Sequence, residues 1–371
     1  LFIDDADNLS KIQTKILNTW LASRTQPLIS LKISSQIGLY KTFLTSNGVL
    51  VEAPHDYQQV DISYLRTTKS SVFYDKSIDI LQRRLSIAGI DVDVKDFFPV
   101  DIEQEKKIKA EEDKIRENYK MNGRGYREND DVRRYAIPNH IKNLGGTSKS
   151  RSTYKYAGLD NIIHLSSGII RYLLDATAKM YDVVTEGVDD DFVPPKIDPG
   201  VQNKVMREKA DAYLFKELRK GYTSEERAVE IAITDNPDNM VEKLANLINA
   251  MGKTFHDILI SDRAERKVFS VALSNTPDEE IKQVFDLGVR LGFLHMSYIG
   301  NKEGDGRTYL YVLNRCFAPI FTLDPTGFQG YLFMTNADLK KAIHTGKRLR
   351  NILEENESDV KQLSLDDFWE V

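Results

Sequence analysis

Leu1-Phe2-Ile3-Asp4-Asp5 opens the chain with a short apolar, strand-like run that ends in two adjacent carboxylates. An amphipathic helix follows from about Asn8 to Ser23, with Leu9, Ile12, Ile16, Leu17 and Trp20 along one stripe and Asn8 or Asp7 placed to cap it. Pro27 stops that helix. Leu28 to Ser35 then reads as a buried strand that runs into the polar cluster Ser34-Ser35-Gln36. Strand, helix, strand in that order implies a parallel α/β sheet. On such a sheet ligands collect at the carboxyl ends of the strands, where Asp4 and Asp5 would lie. Two readings of the acidic pair follow. It is a metal- and water-handling pair for phosphate hydrolysis, or it is a strand that meets an acidic helix cap. Because Leu1 sits inside a strand-like run and is not Met, upstream sequence is expected to be missing from the chain, with N-terminal processing as the alternative.

A chain of 371 residues points to two or three domains. A hydrophobic content of 41% with 29% charged residues is that of a soluble protein, which sets a cytoplasmic location as the expectation. No apolar run in the sequence reaches the roughly 18 residues of a spanning helix. Cys316 is the only cysteine, so an intrachain disulfide and a multi-cysteine zinc site are both excluded. His55, His140, His164, His256, His295 and His344 are scattered without i, i+4 pairing, and no structural metal is expected. The net charge of −5 conceals segregation. Lys114 to Lys155 holds eleven Lys/Arg against four Asp/Glu, and Glu354 to Val371 holds seven acids against Lys361 alone.

Downstream, Lys69 to Ala88 reads as a helix stopped by Gly89. Ile102 to Tyr119 is almost continuous charge and reads as a solvated helix projecting from the body. Met121 to Ser152, rich in Gly, Asn, Arg and Ser, reads as a long mobile loop. A helical region from Asp160 to Val184 precedes a linker, Thr185 to Gly200, which contains Pro194-Pro195. Helices are then expected near Gln202 to Lys220 and Asn239 to Leu259, followed by a strand from Arg266 to Leu273. Thr276 would cap the next helix, with Pro277 at its first position and Glu279 completing a capping box. Strands Phe293 to Ile299 and Thr308 to Leu313 flank a glycine-rich turn as a hairpin.

With these elements in order, the chain resembles the AAA+ ATPases of the initiator clade, meaning origin-recognition and cell-division-control-like proteins, divergent bacterial members included. Leu1-Phe2-Ile3-Asp4-Asp5 matches the Walker B strand, and Leu165-Ser166-Ser167-Gly168-Ile169-Ile170-Arg171 matches the sensor 2 helix. The resemblance implies an α/β fold, a partial AAA+ parallel sheet core with a helical lid, followed by a C-terminal winged-helix-like α+β domain. It implies a partial nucleotide-binding core over 1–65, a lid over 66–184 with a charged and basic insertion near 102–152, and a linker over 185–203. A helical and winged-helix-like domain over 204–345 and an acidic tail over 346–371 complete the division.

By the same resemblance Asp4 holds Mg²⁺, Asp5 activates water, Ser35 or Gln36 is the sensor 1 residue, and Arg171 reaches the γ-phosphate of ATP. Arg66 is the arginine finger by position. The family usually has Glu where Asp5 stands, and residues 1–371 contain no G-x-x-x-x-G-K-[S/T] loop. Gly145-Gly146-Thr147-Ser148-Lys149-Ser150 lacks the glycine before lysine and is not that loop. ATP and Mg²⁺ are therefore expected only with an upstream phosphate-binding segment.

Arg124, Arg127, Arg133 and Arg134, interleaved with tyrosines, are candidate contacts to single- or double-stranded nucleic acid, or part of an ordinary solvated insertion. Lys302 and Arg307 would sit on the wing of the winged helix, whose expected recognition helix carries more acid than base. The implied function is an ATP-dependent switch that assembles with copies of itself, nucleic acid or a partner protein, in bacterial genome maintenance or phage defence. The alternative is a non-hydrolysing adaptor with a degenerate AAA+ core that binds its partner through the winged-helix-like module and basic loop.

Overall fold

The computed structural model describes residues 1–23, 30–35, 40–60, 71–122, 127–145, 153–189, 192–217, 237–262, 267–300, 306–326, 330–349 and 360–362. It is a mixed α/β fold that divides into two compact units, one of Leu1–Ser63 with Asp286–Leu294 and one of Tyr64–Phe285 with His295–Val371.

In the first unit, strands β1 (Phe2–Ile3) and β2 (Lys32–Ile33) pair in parallel, with Phe2 opposite Lys32 and Ile3 opposite Ile33. Between them helix α1 (Lys11–Ala22) is started by Ser10 and not by Asn8 or Asp7. The Ser10 hydroxyl accepts from the Gln13 amide while the Gln13 side chain accepts from the Ser10 amide, a reciprocal cap that satisfies two otherwise open donors. Asp7 and Asn8 instead lie in a single 3₁₀ turn, Ala6–Asn8. The expected apolar stripe of α1 is largely solvent-facing: Ile12 is 72% exposed and Trp20 62%. The buried face is Thr14, Leu17 and Asn18. Asn18 accounts for this inversion, because its amide donates to the carbonyls of Thr42 (2.8 Å) and Leu44 (3.0 Å) and its oxygen accepts from the Tyr40 hydroxyl (2.7 Å).

The second unit begins with α2 (Val72–Ile87), capped by Ser71, and a short α3 (Val94–Phe97). Helices α4 (Ile102–Asn122) and α5 (Glu128–Leu144) pack against each other as a hairpin. Two expectations are corrected here. Residues 128–144 are helical and not a loop, because Val132, Ala136, Pro138, His140 and Ile141 supply a buried face inside a polar-looking sequence. Helix α4 does not project as a solvated rod: Gln104 and Ile108 are buried, and Arg116 reaches Glu128 (3.2 Å) and Asn129 (3.1 Å) on the facing helix.

The helical region expected as one run from Asp160 is two helices, α6 (Leu159–Leu165) and α7 (Ile170–Thr185). Helix α8 (Pro199–Ala212) follows, capped by Asp198 with Pro199 at its start, and packs on α7. Helix α9 (Pro237–Ile260) then lies against strand β3 (Val268–Leu273). A Cβ at Gly252 of α9 would come within 2.2 Å of the Phe321 ring, so only glycine permits that approach.

Helix α10 (Glu279–Arg290) is capped by the Asp278 carboxylate, which accepts from the Ile281 amide at 3.1 Å. Thr276 contributes its carbonyl to Asn336 instead. Gly292, with φ of +71°, closes the helix as expected. Strands β4 (Leu294–Gly300) and β5 (Arg307–Leu313) are neighbours in a sheet of order β4-β5-β3-β6-β7. A short helix α11 (Ala318–Phe321), strand β6 (Gly330–Met334), helix α12 (Asn336–Thr345) and strand β7 (Val360–Gln362) complete the element order. Strand β6 runs parallel to β3, and β5 and β7 are antiparallel to their neighbours β3 and β6, so the sheet is mixed. Among the described residues no helix is long and apolar enough to cross a membrane.

Candidate functional site

The parallel ladder of β1 and β2 continues past both strands: the Ser34 amide donates to the Ile3 carbonyl and the Ala6 amide to the Ser34 carbonyl, each at 2.9 Å. Ser34 and the acidic pair are thereby brought to one end of the sheet. The Ser34 hydroxyl donates to the Asp4 carboxylate and accepts from the Asp5 amide at 3.1 Å. Asp4 and Asp5 are both exposed.

Asp5 turns the chain off the strand in the left-handed region, with φ 51° and ψ 49°. A residue with a Cβ holds that conformation at a cost of about 1 kcal/mol, and Asp is among the few that tolerate it. The turn leaves two consecutive carboxylates at the strand's carboxyl end, one engaged by Ser34.

The oxygen donors here, two carboxylates and a hydroxyl, suit a hard divalent cation. Mg²⁺ typically takes only one or two carboxylates and keeps water and phosphate as its other ligands. Among the described residues no group of three or more His, Cys, Asp or Glu forms a self-sufficient metal cage. That is compatible with a cation held chiefly by water and phosphate. The donor set therefore fits Mg²⁺.

The sequence offers Ser35 or Gln36 as the sensor 1 residue; the hydroxyl engaged with Asp4 belongs to Ser34. Ser35 is exposed beside it, and Gln36 lies outside the described residues. Only the strand register, which the sequence does not state, separates Ser34 from Ser35. Arg66, Arg124 and Lys302 also lie outside the described residues.

Arg171 belongs to the second unit, in the first turn of α7 and exposed. A cation at a helix N-terminus opposes the helix dipole, so helix stability does not call for it there. Its guanidinium makes no hydrogen bond or ion pair with another described residue.

Arg127 is the exposed residue preceding α5, Arg133 is exposed on that helix and Arg134 is half-buried. Glu128, Asp130 and Asp131 share the first turn of α5, so the charge along 127–134 balances. Arg307 is exposed at the start of β5.

A buried ionic group lies where β5 ends. Asp324, fully buried, is 2.5 Å from the Lys267 ammonium and accepts from the Thr326 hydroxyl at 2.6 Å. Burial and the neighbouring Arg315 charge push the His164 pKa down to about 4, so the ring is neutral at ordinary pH. Burial also lowers Arg315 to about 10, still protonated, with Asp324 opposing the shift.

Neither the curated proteins nor the solved structures returned a match. A family model for ORC-CDC6-like proteins matches residues 1–334, nine-tenths of the chain. AAA+ proteins of this initiator type generally use ATP and Mg²⁺, commonly oligomerise and bind nucleic acid. With a family match over nearly all its length, the chain belongs to the ORC-CDC6-like family of AAA+ initiator-type proteins.

Proposed function

We propose that this chain forms the metal-binding, sensor and output parts of an ATP-dependent switch, acting on nucleic acid or a partner protein in genome maintenance or phage defence. The observation that carries the reading is the parallel β1/β2 pair, which sets Asp4 against the Ser34 hydroxyl and leaves Asp5 beside it in a left-handed turn.

Asp4 would hold Mg²⁺, and the Ser34 hydroxyl that donates to its carboxylate fixes the orientation of that carboxylate. Asp5 accepts a hydrogen bond from the attacking water and polarises it. Bound Mg²⁺ supplies charge neutralisation at the phosphate oxygens. Ser35, exposed at the same strand end, or Gln36, outside the described residues, is the sensor 1 candidate. Arg171, with no ion-pair partner among the described residues, is free to pair with the γ-phosphate. Arg66 acts on the nucleotide of a neighbouring copy.

In this division residues 1–65 are the nucleotide core, 66–184 the lid, 185–203 the linker, 204–345 the helical and winged-helix-like domain and 346–371 the acidic tail. The order β3, α10, β4, β5 supports the winged-helix reading, with Arg307 at the start of β5 a candidate wing contact and Lys302, outside the described residues, the other candidate on sequence alone. On the α4–α5 hairpin, Arg133 is exposed and Arg134 half-buried, each a candidate phosphate contact, as is the exposed Arg127 that precedes α5; Arg124, outside the described residues, is a candidate on sequence alone.

The test is ATP turnover and nucleic-acid affinity of the intact protein. Asp5→Asn and Arg171→Ala are each expected to lower turnover by about 10²-fold or more. Neutralising Arg133 and Arg134 is expected to flatten the salt dependence of nucleic-acid binding. Unchanged turnover in both single variants would leave the adaptor reading in place of the ATPase one.

A further inference from the structure

The turn that launches α7, and so aims Arg171, is anchored by a distant part of the chain. Helix α6 ends at Leu165, and Ser166, Ser167, Gly168 and Ile169 reverse the direction before α7 begins. The turn is closed by the Ser167 amide to the His164 carbonyl (3.0 Å) and the Ile169 amide to the Ser166 carbonyl (2.9 Å). Ser167 and Gly168 are both left-handed, with φ of 54° and 82°. Glycine adopts that region freely, whereas serine does so against its Cβ. Local preference alone does not explain why Ser167 holds it.

The Arg315 amide donates to the Ser167 hydroxyl oxygen at 3.2 Å, across 148 residues of sequence. Arg315 is buried and follows β5 after a single residue, Asn314, whose side chain caps the turn there by accepting from the Cys316 amide at 2.9 Å.

The other end of α6 is held by the same segment. The Tyr156 hydroxyl, buried just before α6, is shared between the carbonyls of Leu323 (2.8 Å) and Ala318 (3.0 Å). Arg207 of α8 donates to the Pro319 carbonyl at 2.9 Å and the Tyr154 carbonyl at 3.0 Å. Residues 315–323 thus grip α6 at both ends. They continue from β5, whose first residue is Arg307. Seven strand residues span about 23 Å, so one rigid element runs from the wing to the turn.

We infer that Ser167 is a positioning residue for Arg171: by accepting from the Arg315 amide it fixes the left-handed turn that aims the arginine, making the mixed-sheet module part of the nucleotide sensor. The inference rests on the reading of Arg171 as sensor 2. Its consequence is that whatever binds the β5 strand and whatever engages Arg171 act on one shared turn, and such coupling is reciprocal.

The test uses the intact protein as wild type, Ser167→Gly, Ser167→Asn, Arg171→Ala and Ser167→Gly/Arg171→Ala. Two quantities are read: ATP turnover with kcat and KM separated, and amide exchange across residues 163–173 without nucleotide. Ser167→Gly keeps the left-handed backbone and removes only the acceptor. It is expected to lower kcat about tenfold and to speed exchange across the turn. Ser167→Asn, which tolerates that backbone and carries an acceptor oxygen, is expected to restore both. In the Arg171→Ala background, Ser167→Gly is expected to add no further loss of turnover, because the two act as one unit. Unchanged exchange in Ser167→Gly overturns the inference whatever the turnover, as does an equal loss of turnover in both backgrounds. Unchanged turnover in Arg171→Ala alone retracts the sensor reading itself, with the exchange result standing separately.

Discussion

The N-terminal β-α-β region and the C-terminal mixed sheet handle apolar side chains in opposite ways. In β1 and α1, Phe2, Ile12, Ile16 and Trp20 face solvent, and the buried positions are filled partly by Thr14 and Asn18 with their hydrogen bonds. In β3 and β6 every residue is buried, and α9 adds Leu244, Leu247, Ile248, Met251 and Phe255 to the same core. Two-residue strands with one helix have little apolar surface to bury against each other, and α1 is fastened by polar contacts such as Asn18 to Thr42 and Leu44. Five strands backed by a helix can set register by packing. The region carrying the candidate chemistry is the one with the smaller core.

This contrast is open to direct test. The largest difference is expected between Phe255→Ala and Ile12→Ser in denaturant unfolding. Phe255 is wholly buried beside Phe269, and its truncation is expected to cost about 3–5 kcal/mol. Ile12 is exposed, and its replacement is expected to change stability by no more than about 0.5 kcal/mol. A comparable loss from Ile12→Ser would mean that the α1 stripe is covered in solution.

A smaller effect should appear with pH. His164 is buried neutral with its pKa near 4, whereas in the unfolded chain it titrates at about 6.5. The unfolded state therefore binds the extra proton as pH falls from about 6.5 toward 4. Across that window folding stability declines, by up to about 3 kcal/mol from this residue, and above it the residue contributes no pH dependence. His164→Gln is expected to flatten this part of the stability profile. An unaltered slope between pH 6.5 and 4 would show that the ring is not held neutral.

What could be read from the sequence follows the same physics. Helix α2 is marked by its spaced Phe73, Leu81 and Leu85, and the α10–β4–β5 order by Gly292 and the glycine-rich turn between the two strands. Helix α5 escaped because its buried face includes His140 and Pro138, which read as polar or helix-breaking. The break between α6 and α7 lies in a stretch whose apolar spacing continues on both sides of Ser166-Ser167-Gly168. Strand β6 is apolar at every position, which gives no period to separate a buried strand from a buried helix. At the candidate site the carboxyl pair was legible as residue types at a strand end. Its hydroxyl partner was not, since Ser34 and Ser35 differ only in the parallel register. The Ser167–Arg315 bond joins residues whose proximity no local pattern records.

The most direct test of the strand-end assignment is a Mg²⁺ titration of ATP turnover in the intact protein, comparing wild type with Asp4→Asn and Asp5→Asn. If Asp4 holds the metal and Asp5 polarises the water, Asp4→Asn moves the midpoint to about tenfold higher Mg²⁺. Asp5→Asn instead lowers the plateau by about 10²-fold and leaves the midpoint in place. Titration curves that superimpose on wild type for both variants would contradict the assignment.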